Sequence, residues 1–161
     1  MKSLTCAFSG HRNIPTIKLP AIQKHLEEEI VHLIHQGVLY FIAGGALGFD
    51  TLCAITVLRL KGSFPKIKLL LALPCKNQAE KWNKADAEIY QNILNRADRI
   101  IYTSHDYSRG CMHRRNRYMA DHSDYMICYL TQQTGGTKYT VDYAVSKGVN
   151  VINIYESINQ S

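Results

Sequence analysis

The chain has 161 residues, 46% hydrophobic and 20% charged, which is one globular domain's worth of core and excludes a disordered segment. No apolar run approaches the ~18 residues of a membrane span, and the short apolar stretch after Met1 and Lys2 is interrupted by His11 and Arg12. Neither an anchor nor a signal peptide is read there, so no membrane partner is expected and the cytosol is the expected location. Five cysteines, odd in number and without a C-x-x-C pair, fit a reduced chain rather than a disulfide scaffold. The net charge of +6 admits nucleic acid or an anionic small ligand. The crowding of Arg109, His113, Arg114, Arg115 and Arg117 into one stretch favours a local site.

In chain order, short apolar stretches predict strands at 4–8, 38–43, 67–73, 99–102, 125–130 and 149–154. Between the first two, Ile22, Leu26, Ile30, Leu33 and Ile34 recur at helical spacing. The segment 52–60 is apolar nearly all round and suits a helix packed deep against a sheet. Asn77 with Glu80 three residues on reads as a capping box opening a helix through Trp82, Ile89, Ile93 and Leu94. No repeat or linker divides the chain, so 1–161 is read as a single domain. Six strands alternating with five helices predict a mostly parallel sheet covered on both faces, a doubly wound, Rossmann-like α/β fold. Ligands of such sheets bind beyond the carboxyl ends of the strands, where strand order reverses.

Four turns follow strand ends. The first is Ser9-Gly10-His11-Arg12, where glycine permits close backbone approach and Ser and Arg can meet a phosphate; the plain alternative is a tight turn with a solvated arginine. The second carries Gly44, Gly45, Gly48 and Asp50. Ala43 stands where G-x-G-x-x-G needs its first glycine, and no Gly-Lys-Ser/Thr follows, so neither a dinucleotide fingerprint nor a Walker loop is read. A glycine-rich strand-to-helix turn with free N–H groups remains, an anion site unless its glycines serve helix packing alone.

The third turn leads from Arg109 into a helix on which Met112, Arg115 and Met119 share one stripe. A guanidinium flanked by apolar side chains wants an anion, whereas Arg114 and Arg117 suit a solvated face. The fourth is Thr134-Gly135-Gly136-Thr137, either a helix start capped by Thr137 or a second N–H cradle for phosphate. All four fall at one edge of the sheet. Cys111-x-His113 is too short for a zinc site, no G-x-S-x-G elbow exists, and no metal or cofactor is expected.

As a set, Ser-Gly-His-Arg at 9–12, Gly-Gly-Ala-Leu-Gly-Phe-Asp at 44–50, Arg-Asn-Arg-Tyr-Met-Ala-Asp at 115–121, Ser123-Asp124 and Gly-Gly-Thr at 135–137 resemble the SLOG superfamily, nearest its YpsA-like branch. The superfamily joins LOG nucleotide hydrolases with the DNA-processing protein A family. The resemblance implies a Rossmann-like fold and a pocket for nucleotides or nucleotide-derived ligands. It also implies a comparison with the LOG Met-x-x-Arg-Lys and Pro-Gly-Gly-x-Gly-Thr-x-x-Glu motifs. Met112 and Arg115 match the first, with Asn116 at the lysine; Gly135 and Gly136 match the second, with Asp142 at the glutamate. The expected function is binding of a phosphate-bearing, nucleotide-like small molecule as a sensor or regulatory module. Its expected ligand residues are Ser9, Gly10, His11, Arg12, Gly44, Gly45, Gly48, Asp50, Arg109, Arg115, Asn116, Gly135, Gly136 and Thr137. The alternatives are a LOG-like nucleoside 5′-monophosphate phosphoribohydrolase, with Arg115 and Asp142 catalytic, and single-stranded DNA binding. Homo-oligomerisation is left open.

Overall fold

Each of the six apolar stretches forms a strand in the computed structural model, which describes residues 4–160. The reading of Met1 and Lys2, and the outermost positions of the span 1–161, lie outside the described residues. The strands are β1 (Leu4–Gly10), β2 (Val38–Ala43), β3 (Lys68–Leu73), β4 (Arg99–Tyr102), β5 (Tyr125–Tyr129) and β6 (Asn150–Asn153). They pair in parallel throughout, in the order β4-β3-β2-β1-β5-β6. The first strand runs two residues beyond its apolar core, so that Ser9 and Gly10 pair opposite Cys128 and Tyr129 of β5.

Helices follow the strands in alternation: α1 (Leu19–His35), α2 (Phe49–Leu60), α3 (Lys84–Arg96), α4 (Cys111–Asp121) and α5 (Gly136–Ser146), with a short sixth, α6 (Ile154–Gln160), after β6. The stripe Ile22, Leu26, Ile30, Leu33 is buried, as its spacing requires, and α2 is buried nearly all round. One core cluster joins α1, α2 and α3 to one face of the sheet, and α6 packs on α1. A second cluster, with Met119, Ala120, Val141 and Ala144, covers the other face under α4 and α5. This is the doubly wound, Rossmann-like sandwich. Strand order reverses between β1 and β5, whose carboxyl ends therefore open a crevice. All five cysteines are free and buried. No helix among the described residues is long and apolar enough to cross a membrane.

The capping box at Asn77 and Glu80 is a correction. Residues 77–82 are a run of turns, in which Glu80 N–H donates to the Asn77 carbonyl at 3.2 Å and Trp82 N–H to that of Ala79 at 3.1 Å. The helix begins one box later: Asn83 caps α3, accepting from Asp86 N–H at 2.8 Å. The physical reason is burial. Only from Tyr90 and Ile93 does a stripe exist that a helix can pack on the sheet, while Lys76, Asn77, Glu80 and Lys81 are exposed.

Candidate functional site

The crevice between β1 and β5 is a cleft of about 300 Å³, and residues of all four turns line it. Ser9 through Arg12 come from the first turn, Ala46 and Asp50 from the second, Arg115 and Asn116 from α4, and Gln132 with Thr134 through Thr137 from the last. The convergence expected at this edge is therefore real.

Arg115 is only 5% exposed. Its Nη1 donates to the Gly44 carbonyl, its Nε donates to Asn116 Oδ1 at 2.7 Å, and Nη2 approaches Met112 Sδ at 3.8 Å. Burial pulls its pKa down and the nearby Asp50 carboxylate pushes it back up, so the guanidinium stays charged. Asp50 is the counterpart: burial raises its pKa, while Arg115 and the Ala46 N–H, 3.4 Å from Oδ2, lower it. The two form no direct ion pair among the described residues. They flank Gly44, where a Cβ would lie 2.5 Å from Arg115 Nη1 and 2.8 Å from Asp50 Oδ2.

The second turn thus packs more than it presents. Gly44 and Gly45 are buried and do not line the cleft. Gly48 has φ +84°, and a Cβ there would come within 2.0 Å of the Arg12 carbonyl oxygen. Phe49 N–H, the first of α2, donates to the His11 carbonyl at 3.1 Å. The free N–H cradle expected in this turn is to that extent corrected: a carbonyl takes its first donor and Asp50 supplies the negative charge from within.

The last turn behaves otherwise. Its N-cap is Gly135, at φ +102°, and no side chain caps the helix. Thr137 is the second residue of α5, not its cap, so the opening N–H groups of the helix face the cleft without a side-chain partner. Here glycine is needed for the left-handed conformation itself.

His11 joins the first and last turns. Its Nε2 accepts from Thr131 N–H at 2.9 Å, and its ring meets Tyr129 edge-on at 6.1 Å. Accepting that bond requires an unprotonated Nε2, and burial lowers the ring's pKa in the same sense. Arg12 is exposed at the mouth of the cleft, and its side chain makes no hydrogen bond or ion pair among the described residues.

Besides Gly44, Gly45 and Gly48, which do not line the cleft, two more expected site residues stand apart. Arg109 is exposed and does not line the cleft. Asp142 is also exposed, ion-paired to Lys138 at 2.9 Å, and outside the lining. Arg114 bonds Ser104, and Arg117 bonds Tyr139 Oη at 3.2 Å. Gln132 also lines the cleft without having been expected there; its position in the polar turn three residues after β5 was the available signal.

A family model described as the YspA SLOG family (YpsA) matches residues 10–156. The chain belongs to this SLOG family. Its relatives include a UPF0398 protein of Brevibacillus brevis, 30% identical over 135 residues, 82% of this chain and 72% of the relative. The SPbeta prophage-derived protein YoqJ of Bacillus subtilis is 34% identical over 116 residues, 65% of this chain and 68% of that one. Among solved structures, DNA processing protein A from Helicobacter pylori, described for its single-stranded DNA binding mode, superposes with a TM-score of 0.65 at 20% identity. Its Streptococcus pneumoniae counterpart gives 0.66 at 16%. Both cover 92% of this SLOG chain, which spans 63% and 49% of theirs, so the likeness is one of fold.

Proposed function

We propose that the β1/β5 cleft of this SLOG protein binds a nucleotide or nucleotide-derived small molecule through its phosphate, and that the protein serves as a sensor or regulatory module. One observation carries the reading: the uncapped N-terminus of α5 and the buried, charged Arg115 line the same cleft, with unpaired Arg12 at its mouth. Helix N–H groups and a guanidinium are the usual partners of a phosphate. Membership of the SLOG family supports the same ligand class.

The hydrolase alternative needs a carboxylate at a ribosyl carbon. Asp142 is held in a surface ion pair away from the cleft lining, and the carboxylate that does line it, Asp50, is buried, accepts from the Ala46 N–H and lies across Gly44 from Arg115. Single-stranded DNA, which the Helicobacter neighbour binds by its description, would use the same phosphate contacts and forms the second arm of the test. A thermal-shift series with AMP, ADP, ATP, NAD, ADP-ribose and an oligothymidylate checks the reading. A small nucleotide should raise the melting point, by an amount growing with the logarithm of its concentration. No shift at millimolar nucleotide rejects the cleft, and stabilisation by the oligonucleotide alone would favour DNA.

A further inference from the structure

We infer that a second cavity, walled by Trp82 and Tyr107 and joined to the cleft through Arg12, receives the planar base of the nucleotide whose phosphate the cleft holds. The inference rests on the phosphate reading above and adds the part of the ligand that confers identity. The cavity measures about 560 Å³, against about 300 Å³ for the cleft, and Arg12 lines both. A ligand with its phosphate between Arg12 and α5 can therefore pass around one side chain and place a ring beside Trp82.

Arg12 also borders two other cavities, and their chemistry is less suitable. One is walled largely by Leu47, Leu52, Ile55 and Ile89 and contains no aromatic ring. The other contains Tyr129 and Tyr155, but those rings already have partners. Tyr129 stacks on Phe49 and meets Tyr155 edge-on at 5.9 Å, while Lys18 sits over the Tyr155 ring.

The Trp82 cavity, whose wall also carries the charged residues Glu80 and Lys81, differs in its rings. Tyr107 is 64% exposed and makes no ring contact among the described residues. Trp82 is half-buried, its one ring partner among the described residues being Tyr90, edge-on at 5.1 Å and 70°. Edge contact orients an indole and leaves it able to stack, and a base offers a π-face whatever its identity. Polar groups for a base edge stand in the same wall. Asn77 presents an exposed amide, and Gln78 is anchored by Nε2 to Tyr90 Oη at 3.0 Å and the Gly45 carbonyl at 3.2 Å. Gln78 Oε1 is the buried side-chain acceptor that the protein leaves without a partner among the described residues. The turns at 77–82, where a helix was expected, are what put Trp82 here: it precedes α3 and packs back on Tyr90.

Trp82 is the only tryptophan in the chain, so its emission reports on this cavity alone. The experiment titrates the full-length protein with AMP, GMP, CMP, UMP and ribose 5-phosphate, following tryptophan fluorescence and, in parallel, calorimetric affinity. At least one monophosphate should quench or shift the emission and bind about tenfold or more tighter than ribose 5-phosphate, in keeping with the usual strength of base–aromatic stacking. Trp82→Ala should lose about that factor for the monophosphate and leave ribose 5-phosphate affinity unchanged; Trp82→Phe should keep most of the affinity and shows that the fold tolerates the site. If ribose 5-phosphate binds as tightly as every monophosphate and none perturbs Trp82, the base site is rejected while the phosphate cleft stands. If no monophosphate and no ribose 5-phosphate binds, both readings fall.

Discussion

Arg115 and Asp50 are ionisable groups that the fold takes out of water beside the cleft, and they form no direct ion pair with each other. Their desolvation is met by hydrogen bonds to a carbonyl, an amide oxygen and one N–H, with mutual attraction across Gly44. A cation held in this way retains the capacity to meet an anion. Arg115→Ala should therefore weaken nucleotide affinity by about 2 kcal/mol or more, the worth of a charge-assisted contact in a shielded site. Arg117→Ala should cost far less, since Arg117 is half-exposed and turned to Tyr139. Calorimetry on both variants decides the matter, and equal losses would mean a diffuse basic surface instead of one aimed group.

Elements are coupled at this site by their ends. α3 starts at Asn83, and Asn83→Ala should cost about 1 kcal/mol in denaturant unfolding by removing the acceptor of Asp86 N–H. Asn77→Ala, in the turn that resembles a cap by spacing alone, should stay within about 0.5 kcal/mol. The loop after β1 is tied to the loop after β5 through His11 Nε2 and Thr131 N–H. That bond requires the neutral ring, and burial lowers the folded pKa below its ordinary value of 6.5. A histidine depressed in this way contributes stability that is present above its unfolded pKa and lost as pH falls through the folded one. The melting point should accordingly drop as pH is lowered below about 6.5, and His11→Gln should flatten that part of the profile. An unchanged slope in the variant would show that His11 does not tie the two loops.

For the molecule as a whole, the choice between binder and hydrolase depends on where α5 points its carboxylate. The first turn of α5 faces the cleft, whereas Asp142 lies in its second turn, exposed and paired with Lys138. Incubation with AMP should release no free adenine, and Asp142→Asn should leave AMP affinity within about twofold, since an exposed ion pair contributes little. Adenine release at enzymatic turnover, abolished by this substitution, would overturn the ranking; catalysis tolerates misplacement of its groups by about 1 Å poorly.

The strands, the amphipathic stripe of α1 and the buried α2 were legible from residue order, because short apolar runs and the 3.6-residue period are local properties of the chain. The four site turns were legible for a related reason: in a parallel sheet every strand-to-helix turn emerges at the same edge. Spacing could not choose between two boxes of the same form, Asn77 with Glu80 and Asn83 with Asp86; that choice belonged to the burial of Tyr90 and Ile93. Nor could it show that Gly44 makes room for Arg115, 71 positions away, or that Thr131 is held by His11 across 120. Such contacts depend on β1 lying between β2 and β5, a pairing set by how both faces of the sheet are buried together. Residue order alone determined the fold class and the edge of the sheet at which the four turns gather. Tertiary packing decided how the two glycine turns differ, because the His11 carbonyl takes the first N–H of α2 while Gly136 and Thr137 at the start of α5 line the cleft.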